Sequence, residues 1–139
     1  MASTVVVANP FSLKDVSLLI GPTATNFEFR TSVSSVTFTP SASTVTWTGL
    51  GLNTYTDVNT ATWTCTLEYS QDWDTTNSLS AYLYTHEGET VDVVFKPKNA
   101  GLKTWTGKLI ITPGAVGGPV NAVAVASVTL GMPSKPVLA

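Results

Sequence analysis

From Thr62 to Tyr69 the chain alternates without a break. Trp63, Cys65, Leu67 and Tyr69 are apolar, and the three threonines and Glu68 between them are polar. A strand sends successive side chains to opposite faces, so this spacing predicts a strand with the odd positions buried. Shorter runs of the same kind place strands at Val16, Leu18, Ile20, at Phe27, Phe29, at Val36, Phe38 and at Val45, Trp47. Others follow at Val91, Val93, Phe95, at Trp105, Leu109, Ile111, and from Val123 to Leu130. In the last run the phase slips between Val125 and Val128, which predicts a bulge near Ala126-Ser127. Turn signals punctuate the series at Gly21-Pro22, Pro40 to Ser43, Pro97 to Gly101 and Pro113 to Pro119. Strands at this spacing with Gly/Pro punctuation predict a mainly β chain, an antiparallel β-sandwich or barrel.

One segment follows a different period. Leu79, Tyr82, Leu83 and His86 recur at the i, i+3, i+4, i+7 spacing of a helix face. Thr76 or Asn77 can cap its start, and Gly88 can take the left-handed conformation that ends it. The pattern predicts one short flanking α-helix of roughly three turns over about residues 77–87.

Three stretches fall outside these elements: an N-terminal arm at 1–14, a long Gly/Asn/Thr-rich loop at 48–61, and a C-terminal tail at 131–139. The tail's prolines keep it from continuing a central strand. The domain itself is predicted to span 15–130. Loops beyond ~12 residues in a compact domain are usually functional or unstructured, which draws attention to 48–61.

Composition sharpens this picture. Charged residues make up only 12% of the 139-residue chain, about half the usual ~25%. β-Branched residues take the space, with 23 Thr and 17 Val. Seven Lys+Arg against nine Asp+Glu give a net charge of −2, which argues against a nucleic-acid binder working through a basic surface. The 43% hydrophobic content is too high for a disordered chain. No apolar run approaches the ~18–20 residues of a membrane span, and the N-terminus lacks the basic region of a signal peptide. These features predict a protein made and assembled in a cytoplasm.

The chemical inventory is thin. A nucleophilic triad would have to use His86, the single histidine, which falls at the helix end and reads as a surface or capping residue. Cys65 lies on the apolar face of the best strand and reads as a buried structural thiol. Asp72 and Asp74 flank Trp73 and would point the same way if the strand continued, but no calcium-loop spacing surrounds them. They read as a solvated strand end, with Asp74 able to assist the helix start. Trp47, Trp63 and Trp105 read as core, and Trp73 as the most open of the four. Gly114 to Gly118 lacks the ending of a phosphate loop and reads as a turn. No catalytic, cofactor-binding or metal-binding residues are predicted, and no enzymatic activity.

Charge order carries more information than charge total. Seven of the nine acids fall between Asp57 and Asp92, and Lys96, Lys98, Lys103 and Lys108 follow directly. A molecule with acidic and basic ends can stack head to tail on its own copies. Leu50, Leu52, Tyr55 and Asp57 in the long loop, with Lys96, Lys98 and Lys103, are therefore the candidate subunit-interface residues.

The stretch Thr62-Trp-Thr-Cys-Thr-Leu-Glu-Tyr-Ser-Gln-Asp-Trp73, then Ser78-Leu-Ser-Ala-Tyr-Leu-Tyr84, resembles the major tail protein of long-tailed, non-contractile phages infecting actinobacteria. So do His86 to Phe95 and Gly107 to Gly118 with the closing strand. The resemblance covers about residues 30–139, and the N-terminal arm matches less clearly. It implies a tail tube protein of the virion with a β-sandwich or barrel and one flanking helix. Its copies would form hexameric rings stacked around a tape measure protein, contact tail-end proteins, and leave a lumen through which the genome passes without specific binding. Neither a cofactor nor a membrane is implied, and assembly would take place in the host cytoplasm. Two other classes fit the residues: a carbohydrate-binding β-sandwich using exposed aromatics such as Trp73 and Tyr55, and an immunoglobulin-like decoration domain on a virion or cell surface.

Overall fold

A computed structural model describes residues 2–5, 12–22, 24–98, 101 and 103–139. Among the described residues ten strands and one helix follow in order: β1 Ser17–Ile20, β2 Phe27–Glu28, β3 Val33–Ser41, β4 Thr44–Thr48, β5 Thr54–Val58, β6 Thr62–Ser70, α1 Leu79–Thr85, β7 Thr90–Lys96, β8 Trp105–Ile110, β9 Val125–Met132 and β10 Val137–Leu138. Eight strands form one antiparallel sheet in the order β2-β1-β7-β8-β9-β6-β3, with β10 also on β8. The fold is thus mainly β with one short helix, as the periodicity predicts.

The sheet is a sandwich because it bends at one weak seam. Between β8 and β9 only Ile110 and Gly131 pair. On one side β1, β7 and β8 pair along their lengths; on the other β3, β6 and β9 do. Leu18, Ile20, Val91, Val93 and Leu109 from the first leaf meet Cys65, Leu67, Val128 and Leu130 from the second in one core. Phe38 on β3 and Phe95 on β7 touch edge to face across it, ring centroids 5.6 Å apart.

The 62–70 alternation holds. Cys65, Leu67 and Tyr69 are buried, and Trp63 packs against the core from its rim. The expected bulge near Ala126-Ser127 is absent. β9 pairs with β6 in unbroken register from Ser70↔Val125 to Trp63↔Met132, and its buried positions are Ala126, Val128, Leu130 and Met132. Ala126 is the small residue that keeps the phase, while Val123 and Val125 face outward. The register shift in this sheet falls instead between Val33 and Ser35, on edge strand β3.

The helix is two turns rather than three. Asn77 sits at φ +61, outside the helical region, so Ser78 becomes the cap. Its hydroxyl accepts the Ala81 N–H at 3.4 Å and donates to the Asp72 carbonyl. Gly88 ends the segment at φ +85, as expected. Leu79, Tyr82 and Leu83 face the core, and Tyr82 lies among Phe27, Phe29 and His86.

The 131–139 segment is docked rather than free. β9 runs to Met132, stops before Pro133, and β10 then pairs with Thr106 and Trp105 on β8. Met132 and Pro136 pass directly over Gly107. The N-terminal arm lies partly outside the described residues, and residues 2–5 of it are exposed.

Candidate self-association surface

The 48–61 stretch, read as a long loop, holds strand β5, which pairs with β4 from Thr44↔Val58 to Thr48↔Thr54. A tight turn closes the hairpin. The Gly49 N–H donates to the Asn53 carbonyl at 2.8 Å, the Leu52 N–H donates to the Gly49 carbonyl at 3.0 Å, and Leu52 takes a left-handed φ of +64. At the base, the Asn59 N–H donates to the Ser43 carbonyl at 2.9 Å. The break predicted at Pro40–Ser43 is correspondingly slight. Pro40 and Ser41 belong to β3, opposite Trp63 and Thr62, and the chain runs on into β4. β3 is an edge strand, where proline is tolerated because no neighbour needs its N–H. The β4–β5 hairpin is thus a separate two-stranded sheet that projects from the β3–β6 edge of the sandwich, joined to it through residues 42–43 and 59–61, which belong to neither ladder.

Every residue of β4 and β5 is exposed. Alternation gives the projecting half two different faces. One carries the cross-strand pairs Trp47↔Tyr55 and Val45↔Asp57; the other is a ladder of Thr44, Thr46, Thr48, Thr54 and Thr56 with Val58. Trp47, expected in the core, is 61% exposed and Tyr55 59%. The reason is that no second leaf extends over the hairpin. Leu50 and Leu52 stand clear of the rest of the molecule at its tip. Asp57 is engaged locally, accepting the Tyr55 hydroxyl at 3.1 Å and the Val58 N–H at 2.8 Å.

At the hairpin's foot the sandwich opens into an apolar groove of about 490 Å³. Val36, Phe38 and Trp63 line one wall and Phe95, Pro97 and Trp105 the other. Trp63 and Trp105, predicted as core, are its half-buried rims. Lys96 and Lys98 flank Pro97 and Lys103 precedes Trp105, so the three candidate lysines sit at the groove's end of β7 and β8. The seven candidate interface residues thus fall at two places: Leu50, Leu52, Tyr55 and Asp57 on the hairpin, and the lysines at its foot.

The opposite end of the sandwich is acidic. Glu87 and Glu89 follow α1, and Asp72 and Asp74 lie beyond β6, with Asp74 and His86 lining one shallow depression. The two ends are not wholly segregated, because β-pairing sets Asp92 beside Lys108 at 2.8 Å. His86 caps α1 as expected, its backbone N–H on the Tyr82 carbonyl at 3.0 Å and its Nδ1 2.7 Å from Glu89 Oε2. Asp72 and Asp74 do not share a strand face, since β6 ends at Ser70. Asp72 instead accepts the N–H groups of Asp74 and Thr75 at 3.1 Å each. Hydrogen bonds from the Thr75 side chain and backbone hold its carboxyl below the ordinary value. Asp74 does not serve the helix, whose first turn contains no acid. Cys65 is fully buried and its thiol is pushed up to about 12 by burial. Among the described residues no cluster of three or more His, Cys, Asp or Glu could hold a metal ion.

Trp73 and Tyr55 lie beyond opposite ends of β6, so they do not share a stacking platform. Trp73 packs edge to face on Tyr84, and its Nε1 donates to Gln71 Oε1 at 3.3 Å. Gln71 escaped the sequence reading. Its side-chain amide donates to the Gly117 and Val125 carbonyls at 2.8 and 2.9 Å and accepts the Gly117 N–H at 2.9 Å. It thereby fastens the 113–124 loop to the end of β6. A lone polar residue after a strand gives no periodic signal of such a role.

The outward face of β3, β6 and β9 is a hydroxyl surface. Thr37, Thr39, Thr64, Thr66 and Thr129 share it, with Glu68 and Ser127 adjacent. Thr66 and Thr129 approach to 3.5 Å.

No family model and no curated protein matches the chain. Solved structures do. A chain from the sheath/tube terminator of an extracellular contractile injection system superposes with a TM-score of 0.63 at 16% identity, covering 96% of this chain and 99% of that one. The fold is one found in tail particles. A chain from the tail of an empty gene transfer agent particle, refined with C6 symmetry, gives 0.61 at 15% identity over 88% of this chain and 95% of that one. A chain from the native gene transfer agent virion gives 0.60 at 15% identity with the same coverage.

Proposed function

We propose that this chain is a tail tube subunit of a long-tailed phage, of the non-contractile, actinobacterial kind that its 62–118 motifs resemble. Its role is structural, and no catalytic step is assigned to it. Copies form rings, six to a ring, and the rings stack around a tape measure protein and meet tail-end proteins at the tube's limits. The tube is the conduit for the genome, and it is built in the host cytoplasm. The likeness to C6-symmetric tail chains supports this reading through the fold. The observation that carries it for this chain is the projecting hairpin. A paired ribbon with one aromatic face and two leucines at its tip has no use in a monomer that leaves all of it in water.

The domain division follows from the same reading. The tube domain begins at about residue 15 and takes in the docked 131–139 segment, and the 48–61 half of the hairpin and the N-terminal arm reach neighbouring subunits. Leu50, Leu52, Tyr55, Asp57, Lys96, Lys98 and Lys103 lie in those contacts. Edge strands of neighbouring subunits pair within a ring and remove exposed edges. The Thr/Ser face of β3, β6 and β9 suits a lumen wall, because a surface without Lys or Arg gives DNA phosphates nothing to hold. Negative-stain microscopy of the concentrated protein tests the reading. Rings or tubes are expected, and particles that remain monomeric at high concentration contradict it. Deleting residues 48–61 is expected to abolish stacking; normal tubes from that variant contradict the bridging role.

A further inference from the structure

The hairpin tip and the apolar groove belong to one chain but cannot meet within it. The groove lies at the hairpin's foot, beside Pro40 and Trp63. Two residues outside either ladder and the five paired residues of β4 separate Ser41 from Gly49, a reach of up to about 27 Å when extended. A two-stranded ribbon held by its ladder does not fold back over that distance. Leu50 and Leu52 are therefore presented outward, while at the hairpin's foot an apolar groove of matching character, lined also by Leu13, is open among the described residues.

We propose that Leu50 and Leu52 of one copy fill the groove between Phe38, Trp63, Phe95 and Trp105 of the next. This rests on the tube reading, since it needs copies that stack. Charge and length favour the same arrangement. The groove end carries Lys96, Lys98 and Lys103, and the far end carries Asp72, Asp74, Glu87 and Glu89. Setting the basic end of one copy against the acidic end of the next juxtaposes opposite charges. The first copy's hairpin then runs along the second copy's body. That body, measured along the seven residues of β7 from its acidic to its basic end, is about 24 Å long. The hairpin's reach matches it, so the tip arrives at the second copy's groove. The contact is heterologous: each copy gives a tip and receives one, so the chain of contacts continues rather than closing on a pair. It also supplies the ribbon's aromatic face with the second layer it lacks.

The test is a double variant, Leu52→Cys with Pro97→Cys, oxidised mildly at concentrations where the protein assembles. The two positions are too far apart to join within a chain, because a disulfide spans Cα atoms under ~7 Å apart. Native Cys65 is buried and does not compete. A ladder of disulfide-linked multimers, absent from either single-cysteine variant, is the expected result. Rings or tubes seen by microscopy without a ladder overturn the groove contact while leaving the tube reading intact. Protein that stays monomeric overturns both. Independently, Leu52→Asp changes a fully exposed residue and leaves the monomer fold alone. It is expected to raise the concentration needed for assembly at least about tenfold, and an unchanged threshold overturns the proposal.

Discussion

β3 with β6, and β4 with β5, are two successive antiparallel pairings of the same two stretches of chain, and they have different fates. From Val33 to Ser41, opposite Thr62 to Tyr69, the pair has a second leaf above it. There Phe38 finds Phe95, and Cys65, Leu67 and Tyr69 vanish into the core. From Thr44 to Thr48, opposite Thr54 to Val58, pairing resumes after a break at 42–43 and 59–61, the apolar phase moves from the even positions of β3 to the odd positions of β4, and the cross-strand partners Trp47 and Tyr55 stay exposed. Alternation decides which side of a strand is apolar; it does not decide whether anything covers that side. Isolated two-stranded hairpins are marginal in water. The difference between the halves is the observation on which the proposal of a second copy as the missing layer rests.

Substitutions should separate the two halves. Leu67→Ala, in the covered half, removes a fully buried side chain and is expected to cost about 2–5 kcal/mol in a urea titration. A cost below 1 kcal/mol would mean that the leaves are not packed as described. Gly114→Ala should cost about 1–3 kcal/mol, because the added methyl would collide with the Tyr69 hydroxyl where the 113–124 loop lies on the core. A neutral effect would show that the loop gives way freely. Trp47→Ala, in the uncovered half, should change monomer stability by no more than about 0.5 kcal/mol, although it removes a larger side chain than Leu67→Ala. A loss comparable to that of Leu67→Ala would erase the contrast.

The smallest effect concerns acid. Asp72 has a folded-state pKa below its ordinary value of 3.8, so its contribution is complete above that value and is lost as pH falls through the lower, folded one. Melting temperatures of the parent and of Asp72→Asn should therefore differ most near neutral pH and converge below pH 3.8. A gap that is constant down to the lowest pH would show that the Asp72 turn is not maintained by its charge.

Much of the fold was legible because the core is built from alternation. Leu18, Ile20, Val91, Val93, Cys65 and Leu67 all face inward as their spacing predicts. The helix face Leu79, Tyr82, Leu83 was equally plain. Three features were not. The slip between Val125 and Val128 suggested a bulge because Ala126 is too small to register as an apolar anchor, although it keeps the phase. β4 was legible at Val45 and Trp47, but β5 read as part of a loop because Thr54, Thr56 and Asp57 carry no apolar repeat; it is a strand because it pairs with β4. Trp47 read as core because a tryptophan on the apolar phase of a strand usually is. The candidate interface was legible in part. The order of charges and the length of the 48–61 stretch pointed to the seven residues. That they divide into a projecting tip and the foot from which it grows needed the coordinates.

The claim at the centre of this account is that the β4–β5 hairpin completes its packing only on a second copy. Amide hydrogen exchange, followed residue by residue in dilute monomer and in assembled particles, tests it directly. In the monomer the amides of 44–48 and 54–58 should exchange far faster than those of 64–69. On assembly they should slow to rates approaching that core ladder. Hairpin amides that exchange as fast in the assembled particles as in the monomer would contradict the claim.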